Sequence, residues 1–169
     1  MYHCYVADYA RIAKLEIGSA EVASLTGTLL KAKGYIEAAI DTYKRSIKIN
    51  PDYGYYNVGN ALKGVKFSRP IPELPEIIVK ILDKKTCVRP SDITLSAFSL
   101  IKLNEGFQSV LNRYFSGELE QTLEQSVSEL SRIPLLLKIM EVCPIPDLEV
   151  ERLLTYLRSS ILSNVSLLS

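Results

Sequence analysis

The stretch SIKINPDYGYYNVGNALKG, residues 46–64, ends one helical pattern and begins another within a few residues. Pro51 cannot continue the preceding helix, and it disfavours the helical conformation at Asn50 before it. Beyond this point YYNVGNALK again places small and apolar residues at helical spacing. The sequence therefore predicts that NPDY is a joint between two helices.

The residues before the joint predict a pair of antiparallel helices. Gly27 is small where two helices must approach closely, and Gly34 can adopt the positive φ that ends the first helix. Ala39 allows the second helix to approach in turn. The residues expected to fill the shared seam, at spacing i, i+3 and i+7, are Ile40, Tyr43 and Ile47.

This pattern recurs after the joint, where Val58-Gly59 and Leu62 stand in the places of Thr26-Gly27 and Leu30. The recurrence resembles the tetratricopeptide repeat, a helix-turn-helix unit of about 34 residues. Residues 20–53 match one full unit, and residues 54–66 match the first helix of a second. The resemblance implies a short α-solenoid of stacked hairpins.

The preceding segment YVADYARIAKLEIG, residues 5–18, also has helical spacing, and its Tyr9 precedes Tyr43 by one length of the repeat. It predicts the second helix of a degenerate earlier unit. We therefore expect residues 1–66 to form degenerate and complete hairpins of the tetratricopeptide type.

Residues 67–75, FSRPIPELP, contain three prolines, so a boundary is expected there. Residues 67–169 predict an α-helical region that packs on the repeats, which makes the fold class all-α. The predicted segments are PEIIVKILDKK, SDITLSAFSLIKLNEG, FQSVLNRYFSG, ELEQTLEQSVSEL, PLLLKIMEV and PDLEVERLLTYLRSSILS. In the second of these, Ser91 or Asp92 is expected to cap the helix and Gly106 to end it.

Two apolar faces are expected in the C-terminal region. One contains Leu119, Leu123, Val127 and Leu130, and the other contains Leu153, Leu154, Leu157 and Ile161. The apolar residues from Ile161 to Leu168 leave two interpretations open. Either the last helix docks on its own core, or the chain ends before its natural domain does.

The segments KKTCVRPSDI, SRIPLLLKIMEVCPIPDLEVERLL and LRSSIL carry a second resemblance. They are similar to the helical region that follows the repeats in bacterial proteins with tetratricopeptide repeats and an S-adenosylmethionine-dependent methyltransferase domain. This sequence lacks a strand followed by a Gly-rich turn that could hold the cofactor. The alternative function is therefore a regulatory or N-terminal fragment of such a system, without the catalytic domain.

Composition favours neither nucleic acid nor a membrane as partner, because 20 basic and 19 acidic residues give a net charge of +1. The three cysteines, Cys4, Cys87 and Cys143, follow no zinc-binding spacing and predict buried free thiols. No window reaches the ~18 apolar residues of a membrane span, so a cytoplasmic location is expected.

Catalysis is not expected. The single histidine is His3, near the terminus, and no Gly-rich phosphate loop is present. We therefore predict no catalytic residues, no metal and no cofactor.

Binding is the function that the repeat resemblance implies, because first helices of such hairpins line a concave groove that holds a peptide or helix. By position, the groove residues are Glu21, Ser24 and Thr28 in the first unit and Tyr56, Asn57 and Asn60 in the second. A protein or peptide partner is expected. Self-association into a homodimer scaffold is a further hypothesis, since one full unit leaves an end of the stack to be covered.

Overall fold

The computed structural model describes residues 19–84 and 88–166, and every regular element in these ranges is helical. The α-helices are α1 (Ala20–Ala32), α2 (Ile36–Ile49), α3 (Pro51–Leu62), α4 (Leu74–Asp83), α5 (Pro90–Lys102), α6 (Glu105–Ser116), α7 (Leu123–Ser131), α8 (Pro134–Val142) and α9 (Leu148–Ser166). A short 3-10 turn, Glu120–Thr122, precedes α7. The all-α class is confirmed for the described part of the chain.

Helices α1 and α2 form an antiparallel pair, and α3 packs on α2 while also reaching α1. Gly27 makes the first pairing possible, because a Cβ there would lie 2.6 Å from the ring of the buried Tyr43. Gly34 has a φ of +83° between the two helices, as its position predicts. The Ser46 hydroxyl donates to the Ala20 carbonyl oxygen at 3.0 Å and links the opposite end of the pair.

The joint between α2 and α3 is a single residue. Asn50 is extended, with φ of −138°, and its Oδ1 accepts a hydrogen bond from the Tyr53 N–H at 3.2 Å. Helix α3 begins at Pro51, ahead of the predicted start at Gly54, because the fixed φ of proline suits the first helical position. Gly54 then brings α3 against α2, since a Cβ there would lie 2.5 Å from the Ile47 backbone.

The proline-rich segment between α3 and α4 is attached to α5. The single hydroxyl proton of buried Ser96 is shared between the carbonyl oxygens of Leu62 at 2.5 Å and Val65 at 2.8 Å. The Ser99 hydroxyl accepts from the Phe67 N–H at 3.0 Å. One hydrophobic core consequently runs from Ala39 in α2 to Leu157 in α9.

The predicted bounds of α5 were wrong at both ends. Arg89 occupies the N-cap position, so Asp92 lies in the first turn, where its carboxylate is close to the helix N-terminus. The helix ends at Lys102, and Gly106 lies in the first turn of α6. Asn104 lies between the two helices and caps α6, because its Oδ1 accepts a hydrogen bond from the Phe107 N–H at 3.0 Å.

Two residues of the predicted apolar faces are exposed. Val127 is 37% exposed in α7, and buried Ser126 lies inward instead, because Leu123, Ser126 and Leu130 share one side of the helix at spacing i, i+3 and i+7. Leu153, Leu154 and Leu157 are buried as predicted. Ile161 is 38% exposed, while Leu167 and Leu168 lie outside the described residues.

Candidate interaction surface

Helices α1 and α3 lie side by side, which brings the two predicted groups of groove residues onto neighbouring helices. The Lys31 ammonium group donates to the Asn60 carbonyl oxygen at 3.2 Å and joins the C-terminal parts of both helices. Since α2 is antiparallel to α1 and α3 folds back on α2 at Asn50, α1 and α3 run in the same direction. We call the exposed side of this pair the α1/α3 face, consisting of Glu21, Leu25, Thr28, Tyr56, Asn57 and Asn60.

On α1, Glu21, Leu25 and Thr28 are exposed and share one side at spacing i, i+4 and i+7. The Glu21 carboxylate accepts a hydrogen bond from the Ser19 hydroxyl at 2.7 Å. This bond lowers the pKa of Glu21, assisted by a backbone hydrogen bond. The first turn of α1 therefore presents a negative charge at neutral pH.

Ser24 does not lie on the exposed face. It is buried together with Ala20 and Gly27, at the spacing that defines the side of α1 turned toward α2. Its hydroxyl has no hydrogen-bond partner among the described residues. The prediction that Ser24 lines a groove is wrong, because the seam with α2 takes this position.

Thr28 is exposed but already engaged. Its hydroxyl lies 3.0 Å from the Ser24 carbonyl oxygen, to which it donates, and 3.1 Å from the Tyr43 hydroxyl. Burial raises the pKa of Tyr43, and the Thr28 contact acts in the opposite direction. Thr28 therefore anchors the α1–α2 pair as well as contributing to the face.

On α3, Tyr56 is 51% exposed, and Asn57 and Asn60 are half-buried beside it. Each asparagine uses one amide N–H within its own helix. Asn57 donates to the Tyr53 carbonyl oxygen at 2.8 Å and Asn60 donates to the Tyr56 carbonyl oxygen at 3.1 Å. A side-chain amide has two N–H donors and one carbonyl acceptor, so each retains capacity for a partner.

The α1/α3 face has charges of opposite sign at its two ends. Lys31 lies about 15 Å beyond Glu21 along the helix, at a rise of ~1.5 Å per residue. Burial lowers the pKa of Lys31, and the positive charge of Lys63 lowers it further. Lys63 itself pairs with Asp92 at 3.4 Å. The C-terminal end of the face is therefore basic and the N-terminal end acidic.

Leu25 of the α1/α3 face, and Lys31 next to its C-terminal end, were not among the predicted groove residues. Leu25 is 55% exposed, and its spacing from Glu21 and Thr28 was available in the sequence. Lys31 and Lys63 occupy corresponding positions, in the same register that pairs Gly27 with Gly59. The helical spacing and the repeat together would have identified both.

Other kinds of site have little support in the described residues. No group of three or more His, Cys, Asp or Glu side chains there could hold a metal ion. Cys143 is a half-buried free thiol whose pKa is raised by burial, and His3, Cys4 and Cys87 lie outside the described ranges. None of the described helices has the length and hydropathy required to cross a membrane.

No protein-family model, no curated protein and no solved structure matches this chain. The interpretation of α1–α3 consequently depends on the chain's own internal register and contacts.

Proposed function

We propose that the chain is a non-enzymatic protein-interaction module of the tetratricopeptide type, and that its α1/α3 face holds an extended peptide or a helix. The observation that carries this proposal is the exposure of Leu25 and Tyr56 on two adjacent helices beside Asn57 and Asn60. An apolar contact next to amide groups with remaining hydrogen-bonding capacity suits a peptide, which offers side chains and backbone polar groups together.

The packing of the three helices supports the repeat interpretation. Gly27 and Gly59 stand at corresponding positions of the two units, and both are buried. Gly27 faces Tyr43 of α2, while a Cβ at Gly59 would meet Val88, between α4 and α5, and would then lie 3.5 Å from Ile81 of α4. In this proposal α4 therefore takes the part of the second helix in the second unit.

The charges at the two ends of the face give a bound segment a preferred direction. A partner with a basic side chain near Glu21 and an acidic group near Lys31 would meet opposite charges at both ends. Exposed charges of this kind contribute more to orientation and association rate than to affinity. Leu25 and Tyr56 are the expected source of affinity.

The experiment is a selection of short random peptides displayed on phage against the full chain, followed by fluorescence anisotropy with the selected peptides. We expect the Tyr56→Ala/Asn60→Ala double variant to bind about tenfold more weakly, ~1.4 kcal/mol, because it loses the aromatic contact and one amide. Helicity by circular dichroism should be unchanged, since Tyr56 is exposed and the Asn60 amide bonds only within its own helix among the described residues.

The matched control is Tyr35→Ala, which removes a tyrosine that is 60% exposed in the turn between α1 and α2, away from the face. Its affinity for the selected peptides should equal that of the wild type. If the Tyr56→Ala/Asn60→Ala variant also binds with wild-type affinity, the α1/α3 face is not the binding site.

A further inference from the structure

Helix α9 has one side in the core and another side that places large apolar residues in solvent. The core side consists of four buried residues, Val150, Leu153, Leu154 and Leu157. On the other side Leu148 is 59% exposed and Leu162 is 69% exposed, and Thr155 between them is also exposed. These three residues are seven positions apart, so they form one line along the helix. We call this line the outer stripe of α9.

Two opposite charges flank the outer stripe on one side. Glu151 and Arg158 are exposed and again seven positions apart, so they share a flank at a separation of about 10 Å along the helix. They are too far apart to pair with each other, and no ion pair within the described part of the chain includes either residue. Glu149, on the other side of the helix, is in contrast paired with Lys102 at 2.7 Å.

The second flank of the outer stripe is formed by Arg152 and Ser159, which are exposed and also seven positions apart. The Ser159 hydroxyl donates to the Tyr156 carbonyl oxygen at 2.8 Å. Its oxygen can still accept a hydrogen bond. This flank therefore offers a guanidinium donor and a hydroxyl acceptor, about 10 Å apart along the helix.

We propose that the outer stripe is the contact of a symmetric dimer, in which the α9 helices of two copies of the chain pack antiparallel about a two-fold axis at Thr155. Such an axis places each residue before Thr155 opposite the residue at the same separation after it. Leu148 of each copy then lies opposite Leu162 of the second copy, since both are seven positions from Thr155. The two exposed leucines of each copy are thereby removed from water.

The same axis pairs the flanking groups. It passes between the two helices and crosses them at right angles, so each flank lies beside the same flank of the second copy. Glu151 lies four positions before the axis and Arg158 three positions after it, so Glu151 of one copy and Arg158 of the other differ by ~1.5 Å along the helices. Arg152 and Ser159 are paired by the same symmetry. Glu151 thereby meets an opposite charge and Arg152 a hydroxyl acceptor, each twice in the dimer.

The polarity of α9 favours the antiparallel orientation. The first turn of the helix contains Glu149 and Glu151, while Arg158 lies in its second half. Parallel helices would place the two acidic starts side by side, whereas antiparallel helices place each start beside the basic part of the second helix. The partial charges of the helix dipoles also have opposite signs where the ends meet.

The contact is small, because Leu148 and Leu162 are about 21 Å apart along the helix. One helix pair of this length buries less than the ~1,200 Å² of a standard interface, so we expect a Kd of about 10–100 µM. The contact shares no residue with the α1/α3 face or with the end of the helical stack at α1. A dimer of this kind would therefore present two α1/α3 faces to a partner.

Sedimentation equilibrium of the full chain at about 1–300 µM tests the pairing of charges. We expect the wild type to dimerise, and Arg158→Glu and Glu151→Arg each to raise the Kd about tenfold, because like charges then meet twice. The Glu151→Arg/Arg158→Glu double variant exchanges the two signs and should restore the wild-type Kd to within about threefold. Arg45→Glu is the matched control, since Arg45 is exposed on α2, and it should leave the Kd unchanged. Circular dichroism verifies that each variant keeps the helicity of the wild type.

Three results would overturn the proposal. The first is a wild-type chain that stays monomeric over the whole concentration range. The second is a double variant that dimerises no more tightly than its single variants. The third is an Arg158→Glu variant with the wild-type Kd, which would fit a parallel pair in which Glu151 lies beside Arg152 of the second copy.

A second experiment tests whether the two leucines lie opposite each other. Leu148→Ala and Leu162→Ala should each raise the Kd about tenfold, because each removes the same two apolar contacts of the dimer. The Leu148→Ala/Leu162→Ala double variant should therefore bind within about threefold of either single variant. Leu137→Ala, at a leucine that is 48% exposed on α8, is the control and should leave the Kd unchanged. Additive losses in the double variant would mean that the two leucines do not meet.

Discussion

Helices α1–α3 and helices α4–α9 are held together in different ways. In the first region the helices approach on small residues, Gly27 and Gly54, each of which occupies a place where a Cβ would collide with α2. In the second region large aliphatic side chains fill the core, and ion pairs cross between helices. These pairs are Asp83–Lys138, Arg113–Glu129 and Lys102–Asp147. A small residue specifies one register of close contact, whereas aliphatic side chains are compatible with several.

Gly54→Ala should give the largest loss of stability. The added methyl group would lie 2.5 Å from the Ile47 backbone, which cannot move without displacing α2. We expect a decrease of about 3 kcal/mol in the free energy of unfolding, after the helix propensity of alanine offsets about 1 kcal/mol. Urea denaturation followed by circular dichroism measures it.

Gly59→Ala is the comparison that tests this reasoning. Its Cβ would collide with a Val88 side-chain methyl group rather than with backbone, so Val88→Ala should relieve most of the loss. A Gly54→Ala variant as stable as the wild type would show that the α2–α3 contact is not as close as described. If adding Val88→Ala does not restore the stability lost in Gly59→Ala, the loss comes from a contact with a residue other than Val88.

The first region was more predictable from the sequence because each of its main features has a local signal. Helical spacing predicts the seam of Ile40 and Tyr43, glycine at position 34 predicts the positive φ, and Pro51 predicts the helix break at Asn50. In the second region Gly106 was interpreted as a helix end, since glycine often has that role. The Asn104 side chain caps α6 by accepting from the Phe107 N–H, so Gly106 lies in the first turn of that helix instead.

The candidate surface shows the same limit. Family position assigns Glu21, Ser24 and Thr28 to the groove alike; in the structure Glu21 and Thr28 are exposed on α1, whereas Ser24 is buried against α2. Serine is small enough to be buried between two helices and polar enough to be exposed, so the residue type alone does not predict which of these applies to Ser24. Leu25 was overlooked because an apolar residue in a predicted helix is ordinarily assigned to the core.

Ser96→Ala should break the connection between the two regions at a smaller cost. The Ser96 hydroxyl serves the carbonyl oxygens of Leu62 and Val65 from a fully buried position. Because its removal leaves these two acceptors without that donor, we expect the free energy of unfolding to decrease by about 2 kcal/mol. Urea denaturation measures the total loss in the free energy of unfolding. Relative to the wild type, hydrogen exchange in the variant should accelerate more in residues 63–67 than in α8.

Ser99→Ala provides a second measurement at this connection, because Ser99 accepts from the Phe67 N–H and donates to the Ser96 carbonyl oxygen. The two losses should not add, since both hydroxyls support the same segment. Strict additivity of Ser96→Ala and Ser99→Ala would contradict the view that they act as one connection.

The smallest predicted effect concerns the ion pairs of the second region and depends on pH. Asp147 lies 2.7 Å from the Lys102 ammonium group, and its Oδ1 accepts from the Val150 N–H at the start of α9. Burial acts to raise the pKa of Asp147, but the Lys102 and Val150 hydrogen bonds prevail and lower it. Asp147→Asn retains a capping acceptor and removes only the charge, so we expect a loss of about 0.5–1 kcal/mol at pH 7.

Because the pKa of Asp147 is lower in the folded chain than the unfolded value of about 3.9, its charge stabilises the fold above that pH. The contribution is lost as the pH falls through the folded pKa, where the wild-type carboxyl group also becomes neutral. Urea denaturation at pH 7, 5, 3 and 2 should therefore show the wild-type and Asp147→Asn curves converging at the acid end. A difference that stays constant to pH 2 would mean that the aspartate acts through the geometry of the cap, and the ion pair would then contribute nothing to the second region.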